Sequence, residues 1–340
     1  MKINNEELKE VLRIVKPGLG DEKAVEQSTS FAFVGNKVVT YNDQISISHP
    51  IEGLDLTGAI KAEEFYSLLN KIKKDEIDIE VVDGQVLISA GRVKAGLKLQ
   101  SEIKLPLETI EEISLIEGKV KWKVIPDGFL QSLSFAAPVC SRDTSRLLLN
   151  CIYVGESEII SSDSFRILSQ TLSDKLPYKD FLLPASVVRI ITQLNPTHIF
   201  KKDGWVFFKT ETGTIISCRL VEGEYPDISA HFIDSGEEIT LTSKITSIID
   251  RARVFSSETM EYDECVTLEM EKGVLFVKAK SEVGWFEEKS KISYKGKKIK
   301  FDITPVLFEN IFKQTHTFLF DKNKVQFTGE NWEYLVMIRG

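Results

Sequence analysis

A pattern of elements recurs three times along the chain at intervals of roughly 115 to 120 residues, and self-similarity of that period restricts the fold more than any single motif does. The copies share little identity, so the repeat is read from element order. Each copy opens with an amphipathic helix. Leu8, Val11, Leu12 and Val15 mark the first, Phe129, Leu130, Leu133 and Ala136 the second, and Ile245, Ile248, Ile249 and Ala252 the third, each stripe at helical spacing. Thr242 or Ser243 stands where an N-cap of the third would be. Two strands follow in each copy, around turns at Gly35-Asn36, Gly155-Glu156 and Lys272-Gly273. A second helix comes next, marked by Phe65, Leu68, Leu69 and Ile72, then by Val187, Ile191 and Leu194 after Pro184, then by Leu307, Phe308, Ile311 and Phe312 after Thr304-Pro305. Proline suits a helix start because the missing N–H would have no helical partner there. A last hairpin closes each copy, turning at Asp83-Gly84, Asp203-Gly204 and Lys322-Asn323.

Helix, hairpin, helix, hairpin, three times over, predicts an α+β chain of three domains, each with two helices packed on antiparallel sheets. The expected domains are 1–118, 119–235 and 236–340, with joints near Glu117-Gly118 and Ser235-Gly236.

Composition narrows the function classes. At 340 residues, 42% hydrophobic and 28% charged, the chain is an ordinary globular one. No apolar run nears the ~18 residues of a membrane span, and the first residues lack a signal-peptide core, so a cytoplasmic protein is expected. Cys140, Cys151, Cys218 and Cys265 have no CxxC spacing and no nearby histidine; they read as reduced, buried thiols, with no metal and no cofactor. His49 sits before Pro50 in a polar stretch, and His198, His231 and His316 lie near turns or strand starts. No nucleophile elbow, phosphate loop or dinucleotide fingerprint is present, and Asp163 beside Arg166 reads as a turn or ion-pair residue. The chain reads as a non-enzyme.

The net charge of −8 argues against a nucleic-acid binder as a whole, but binding depends on where charges sit. Lys9, Arg13 and Lys16 lie opposite the apolar stripe of the first helix. Lys71 and Lys74 are on the second helix, Arg142 and Arg146 follow the third, Arg189 is on the fourth, Lys244 and Arg251 on the fifth and Lys313 on the sixth. Facing one way, these would form a diffuse basic surface that holds a phosphate backbone without reading bases; taken singly, they are also what solvated helix faces carry.

The middle copy carries a resemblance. The runs ISSDSFRIL (Ile160 to Leu168), LLPASVVRIITQL (Leu182 to Leu194) and ISCRLVEGEYPDI (Ile216 to Ile228) resemble the second domain of bacterial DNA polymerase III beta sliding clamps, with their T-D-G-H-R-like strand end, Pro-opened helix and G-x-[FY]-P-D turn. Tyr334-Leu335-Val336-Met337 is similar to that family's Y-V-V-M ending. The first domain matches by pattern only. The resemblance implies the three-domain DNA-clamp fold. It also implies a head-to-tail homodimeric ring around duplex DNA, serving as a processivity factor in DNA replication. Partners would be the replicative DNA polymerase, the clamp loader and other proteins with clamp-binding motifs, docking by short peptides in a pocket. Carried over by position, that pocket is Leu149, Ser162, Ser164, Phe165, Arg166, Ile167, Pro226, Leu335, Val336 and Met337. Ser164 and Phe165 stand where the family has Gly and His, Ala230 and His231 replace a basic and an aliphatic residue, and the tail after Met337 is only Ile338-Arg339-Gly340. Ring closure would use the edge strand Leu97 to Ile103 and an apolar edge of the third domain. A clamp-like scaffold that binds no DNA, and a hydrolase or transferase with internal repeats, are the alternatives.

Overall fold

Asn4 starts the first helix. Its side chain accepts hydrogen bonds from the backbone of Glu6 (2.9 Å) and Glu7 (3.2 Å), two carboxylates that also suit the positive end of the helix dipole. Helix α1 (Asn5–Val15) then buries Leu8, Leu12 and Val15 completely. Five more helices follow, α2 (Ala62–Lys71), α3 (Phe129–Ala136), α4 (Ala185–Leu194), α5 (Ile245–Arg253) and α6 (Pro305–Gln314), making six α-helices among the described residues. Pro305 opens α6 as expected, whereas Pro184 is the last residue of the strand before α4. The expected cap of α5 is not formed: Lys244 occupies the N-cap, and Thr242 Oγ1 accepts from the Lys244 backbone at 3.3 Å instead.

This computed structural model describes residues 1–21, 25–107, 120–256 and 264–337. The expected joint at Glu117-Gly118 and the tail Ile338-Arg339-Gly340 lie outside the described residues.

The chain forms two units, Met1–Ile125 with Arg189–Leu220, and Pro126–Val188 with Val221–Gly340. The first unit holds a four-stranded sheet, in the order β1 (Lys2–Asn4), β6 (Glu76–Val82), β7 (Gln85–Ala90), β8 (Val93–Lys98). Beside it is an eight-stranded sheet in the order β5 (Leu56–Lys61), β2 (Ser30–Gly35), β3 (Lys37–Tyr41), β4 (Ile45–Pro50), β16 (Ile215–Arg219), β15 (Trp205–Lys209), β14 (His198–Lys202), β9 (Lys123–Val124). The second unit repeats this plan. Its eight-stranded sheet runs β13 (Phe181–Pro184), β10 (Cys151–Val154), β11 (Glu158–Ser162), β12 (Arg166–Thr171), β24 (Trp332–Met337), β23 (Lys324–Thr328), β22 (Thr317–Asp321), β17 (Glu237–Thr240). Its four-stranded sheet runs β20 (Gly284–Lys291), β19 (Val274–Ser281), β18 (Val266–Glu271), β21 (Ile299–Ile303).

The strands of one repeat therefore do not form a private sheet. The opening strands of the first repeat join the closing strands of the second at an antiparallel β4–β16 seam, from Ile215 opposite Ser48 to Cys218 opposite Ile45. The opening strands of the second join the closing strands of the third at β12–β24, from Arg166 opposite Val336 to Gln170 opposite Trp332. The opening strands of the third (β18–β21) and the closing strands of the first (β6–β8) end in edges, β20 and β8, that have no further strand beside them among the described residues. The edge strand differs from the expected Leu97–Ile103. It ends at Lys98, because Gln100 exchanges backbone bonds of 2.8 and 2.9 Å with Ala59, which draws the chain away from β7 and buries Leu99 and Leu105.

Aromatic packing anchors the second unit. Phe308 of α6 is fully buried, edge-on to Phe327 (5.4 Å) and Tyr334 (5.6 Å). Burying one such ring contributes about 1.5–3 kcal/mol before any geometric bonus.

His49 lies in β4, 9% exposed, with Nδ1 2.8 Å from Thr214 Oγ1 across the sheet. Burial lowers its pKa below the ordinary imidazole value, and nearby Glu10 opposes this only in part. The folded state thus binds fewer protons than the unfolded one through the imidazole range. Stability is complete above about pH 6.5 and falls as pH drops through the lowered pKa of the folded state. Melting temperature measured from about pH 7.5 down to about pH 5.5 should fall less steeply in His49→Gln than in the parent chain; parallel curves would reject the assignment.

Candidate docking groove

The hairpin tip between β11 and β12 is built by one carboxylate. Asp163 Oδ1 accepts from the backbone of Phe165 (2.9 Å) and Arg166 (2.8 Å), which closes an Asx-type turn. Ser162 Oγ donates to the Arg166 carbonyl (2.8 Å) and accepts from Ser164 N (3.2 Å). Ser164 is forced to a φ of 79°, which explains why glycine is the residue the resemblance expects there. Arg146 Nη1 donates to its hydroxyl at 2.7 Å and holds the turn from outside.

Arg166 is pinned on three sides. Its Nη2 and Nε lie 2.7 and 2.8 Å from Asp163 Oδ2, and Nη1 donates to Thr304 Oγ1 at 2.7 Å, just before α6. Burial works against its charge, but the Tyr334 hydroxyl and the Asp163 carboxylate outweigh it, so its pKa lies above the ordinary value. Tyr334 is buried completely, which raises its own pKa, so it stays a neutral phenol.

Two cavities meet at this tip, and Asp163, Phe165 and Arg166 line both. The larger, about 530 Å³, is completed by Val336 and Met337 of β24, by Glu264 and Cys265, and by Lys300, Phe301, Asp302, Ile303 and Thr304. The smaller, about 310 Å³, is completed by Cys140, Ser141, Arg142, Asp143 and Arg146. Phe165, 46% exposed, is the aromatic surface between them. Cys265 is exposed, unlike the buried Cys140, Cys151 and Cys218, because it precedes β18 at the mouth of the larger cavity. Burial of its sulfur still pushes its pKa up to about 11, so it is a weak nucleophile at neutral pH.

Of the ten residues expected to line a pocket, Phe165, Arg166, Val336 and Met337 line the larger cavity. Strand alternation accounts for two of the others. Ile167 pairs with Leu335, so both point to the face opposite Arg166 and Val336, where they pack with Ile228 and Ile233. Ser162 and Ser164 shape the turn. Leu149 is half-buried, with its carbonyl held by Ser141 N at 2.8 Å, and Pro226 is exposed beside Tyr225, whose ring stacks on Tyr153. Sequence reasoning missed Glu264, Cys265, Lys300 and Asp302, which come from the third repeat and read there as ordinary strand alternation. Thr304 was legible only as the residue before a helix-opening proline.

The cations expected to face DNA divide into groups. In the first unit, Lys9 pairs with Glu6, Arg13 pairs with Glu10 through a fork (2.6 and 2.8 Å), and Lys16 lies 4.9 Å over the Tyr66 ring. Lys71 and Lys74 are exposed, as are Arg189 on α4 and Lys244 before α5. Arg251 is held by Glu288 of β20 (2.7 and 2.9 Å) and Lys313 by Glu309 (2.8 Å). Arg142 and Arg146 belong to the groove. Among the described residues, no group of three His, Cys, Asp or Glu side chains is placed to hold a metal ion, and no helix is long and apolar enough to cross a membrane.

No family model matches the chain, and no curated protein matches it by sequence. Solved structures do. A DNA polymerase sliding clamp from Bacillus subtilis matches at a TM-score of 0.76 and 19% identity, covering 100% of this chain and 98% of that one. A putative DNA polymerase III beta subunit from Eubacterium rectale matches at 0.76 and 16%, covering 99% and 98%. A sliding clamp, DNA polymerase III subunit beta, from Pseudomonas aeruginosa bound to griselimycin matches at 0.72 and 15%, covering 100% and 99%. The chain has the fold of these clamps along its whole length.

Proposed function

We propose that the chain is a DNA sliding clamp whose two copies close head to tail into a ring around duplex DNA. One observation supports this reading: the two eight-stranded sheets have the same strand order, and the chain's two four-stranded sheets match the two halves of such a sheet. In the order β21, β18, β19, β20 followed by β8, β7, β6, β1, they reproduce β5, β2, β3, β4 followed by β16, β15, β14, β9. A second copy supplies the missing half. Pairing β20 with the β8 of a partner repeats the β4–β16 and β12–β24 seams, and the same contact at the other end closes the assembly. This is a heterologous interface that forms a ring when its rotation closes. Each edge strand carries an exposed apolar side chain, Trp285 on β20 and Val93 on β8, and exposed Val283 stands in the turn before β20. Unpaired strand edges of this kind are templates for another strand.

Three domains per chain, at 1–118, 119–235 and 236–340, would give the ring its repeated structure. Lys71, Lys74, Arg189 and Lys244, with the partnered cations Lys9, Arg13, Lys16, Arg251 and Lys313, would make the DNA-facing contact. Several of these already have acidic partners, so the grip on phosphate is loose, and looseness permits sliding because each step exchanges equivalent phosphates. The protein works without turnover or a cofactor. It tethers the replicative DNA polymerase, and receives the clamp loader and other motif-bearing proteins, through the groove around Phe165.

Retention separates encirclement from surface binding. Loaded onto nicked circular DNA, the protein should co-elute with the circle in gel filtration and be lost when the circle is cut once. Equal retention on both forms would overturn the ring.

A further inference from the structure

Two open edges can meet in many registers, and the two seams inside the chain single one out. In each seam the first residue after a tight turn, Ile45 after Asp43-Gln44 or Arg166 after Ser164-Phe165, stands opposite Cys218 or Val336. Cys218 and Val336 hold equivalent places. Each pairs with the second residue after its own turn, Val206 after Asp203-Gly204 or Val325 after Lys322-Asn323. On the open edges the first place belongs to Gly284, after the Glu282-Val283 turn into β20. The second belongs to Leu97, which pairs with Val86 after Asp83-Gly84. The faces agree. Phe286 and Glu288 of β20 point toward α5, where they meet Phe255 and Arg251, which leaves Trp285 and Glu287 on the other face. Leu97 and Ala95 lie beside the fully buried Val86 and Ile88, which leaves Lys94, Gly96 and Lys98 on the other face of β8.

Resting on the reading of the chain as a ring, we propose that β8 of one copy meets β20 of the next with Leu97 opposite Gly284, so that Trp285 is seated on Gly96 and selects a second copy of this same chain. Gly96 is exposed and offers bare backbone, flanked on its face by the exposed Lys94 and Lys98. An indole laid there covers the ladder and has an ammonium on either side. The internal seams have no such fit: the equivalent pairs are Ser217 with Ser46 and Leu335 with Ile167, medium or small on both sides. An edge with a β-branched or larger residue in place of Gly96 would leave Trp285 unseated and would be a poor partner. Lys94 falls opposite Glu287, a favourable cross-strand pair. Glu287 already has Lys289 at 3.4 Å and Lys278 at 3.8 Å, so shape fixes the register more than charge does. A slip of one residue would set the outer face of one strand against the helix side of the other.

Cysteine cross-linking of the full chain reads the register. The background is Cys265→Ser, since the other three thiols are buried. Lys94→Cys/Glu287→Cys should form a disulfide-linked dimer roughly tenfold faster than Lys94→Cys/Lys289→Cys or Arg92→Cys/Glu287→Cys, because directly opposite positions lie within disulfide reach and diagonal ones do not. A double-mutant cycle reads the seat. Gly96→Val is tolerated within a copy, where its Cβ meets the flexible end of Gln85, and should weaken self-association in sedimentation roughly tenfold. Trp285→Ala should then cost several-fold less in the Gly96→Val background than in the parent, as residues in contact do. Additive losses overturn the seat. If a shifted pair cross-links fastest, or if the chain sediments as a dimer that none of the pairs traps, the proposal falls and the ring stands. If no pair cross-links and the parent sediments as a monomer at micromolar concentration, the ring reading falls and takes the proposal with it.

Discussion

The double variant Val254→Glu/Trp285→Glu is expected to purify as a folded monomer and to slip off nicked circular DNA that holds the parent protein. Trp285 is 72% exposed and Val254 66%, so neither supports the core of its own unit. Both belong to one local structure. Phe255, next to Val254, stacks on Phe286, next to Trp285, at 6.1 Å and 22°, which fixes the end of α5 against the start of β20. A large aromatic side chain on an unpaired edge is the kind of residue that dominates an interface, and its loss typically weakens association by 2 kcal/mol or more, about thirtyfold. Two new carboxylates also have to lose water if a partner strand is to approach, so the combined effect should exceed about a hundredfold. Sedimentation at micromolar concentration reads it directly. A variant that sediments with the parent and stays on the circle removes β20 from the ring interface.

Arg166→Ala is expected to destabilise the second unit by about 3 kcal/mol, because removing one member of a buried pair strands the other. Arg166 and Asp163 side chains are 20% and 17% exposed, so solvent screening does little to soften the loss. The guanidinium also joins two elements distant in sequence, the β11–β12 tip and the Thr304 hydroxyl before α6, and its removal frees both. Arg166→Lys should recover only a part, since an ammonium cannot make the forked contact to Asp163 and the bond to Thr304 together. Urea unfolding measures the difference, and a loss under about 1 kcal/mol would mean that the turn is held by Asp163 and its backbone bonds alone.

Much of the fold was legible because helix stripes and hairpin turns are local. Asp83, Asp203 and Lys322 adopt φ values of 49°, 47° and 50°, and the glycines after the two aspartates 73° and 77°, which is the conformation their turn signals announce. The repeat showed in the same way. Neighbours across repeats were not legible. Alternation along β12 reports that Arg166 and Ile167 face opposite ways, but nothing local says that β24 lies alongside. The groove inherits this limit. Phe165, Arg166, Val336 and Met337 were found through the resemblance, whereas Asp302 and Lys300 reach the site only because sheets pack in space. Arg142 and Arg146 were grouped with the helix cations because charge in a sequence carries no direction. Cys265, expected among the buried thiols, was misplaced for a related reason: exposure beside a cavity is decided by segments far along the chain.

The half-repeat offset between chain order and sheet order has a mechanical side. Each joint between successive repeats is carried by a ladder of backbone hydrogen bonds as well as by the covalent thread, over five residue pairs along β12 and β24 and four along β4 and β16. Ladders of this kind yield when stripped from one end and resist when every rung is loaded together. The proposed ring, assembled from such ladders, would have no single rivet to fail within a molecule; under strain it would part where two molecules meet, since there no covalent bond would back the rungs.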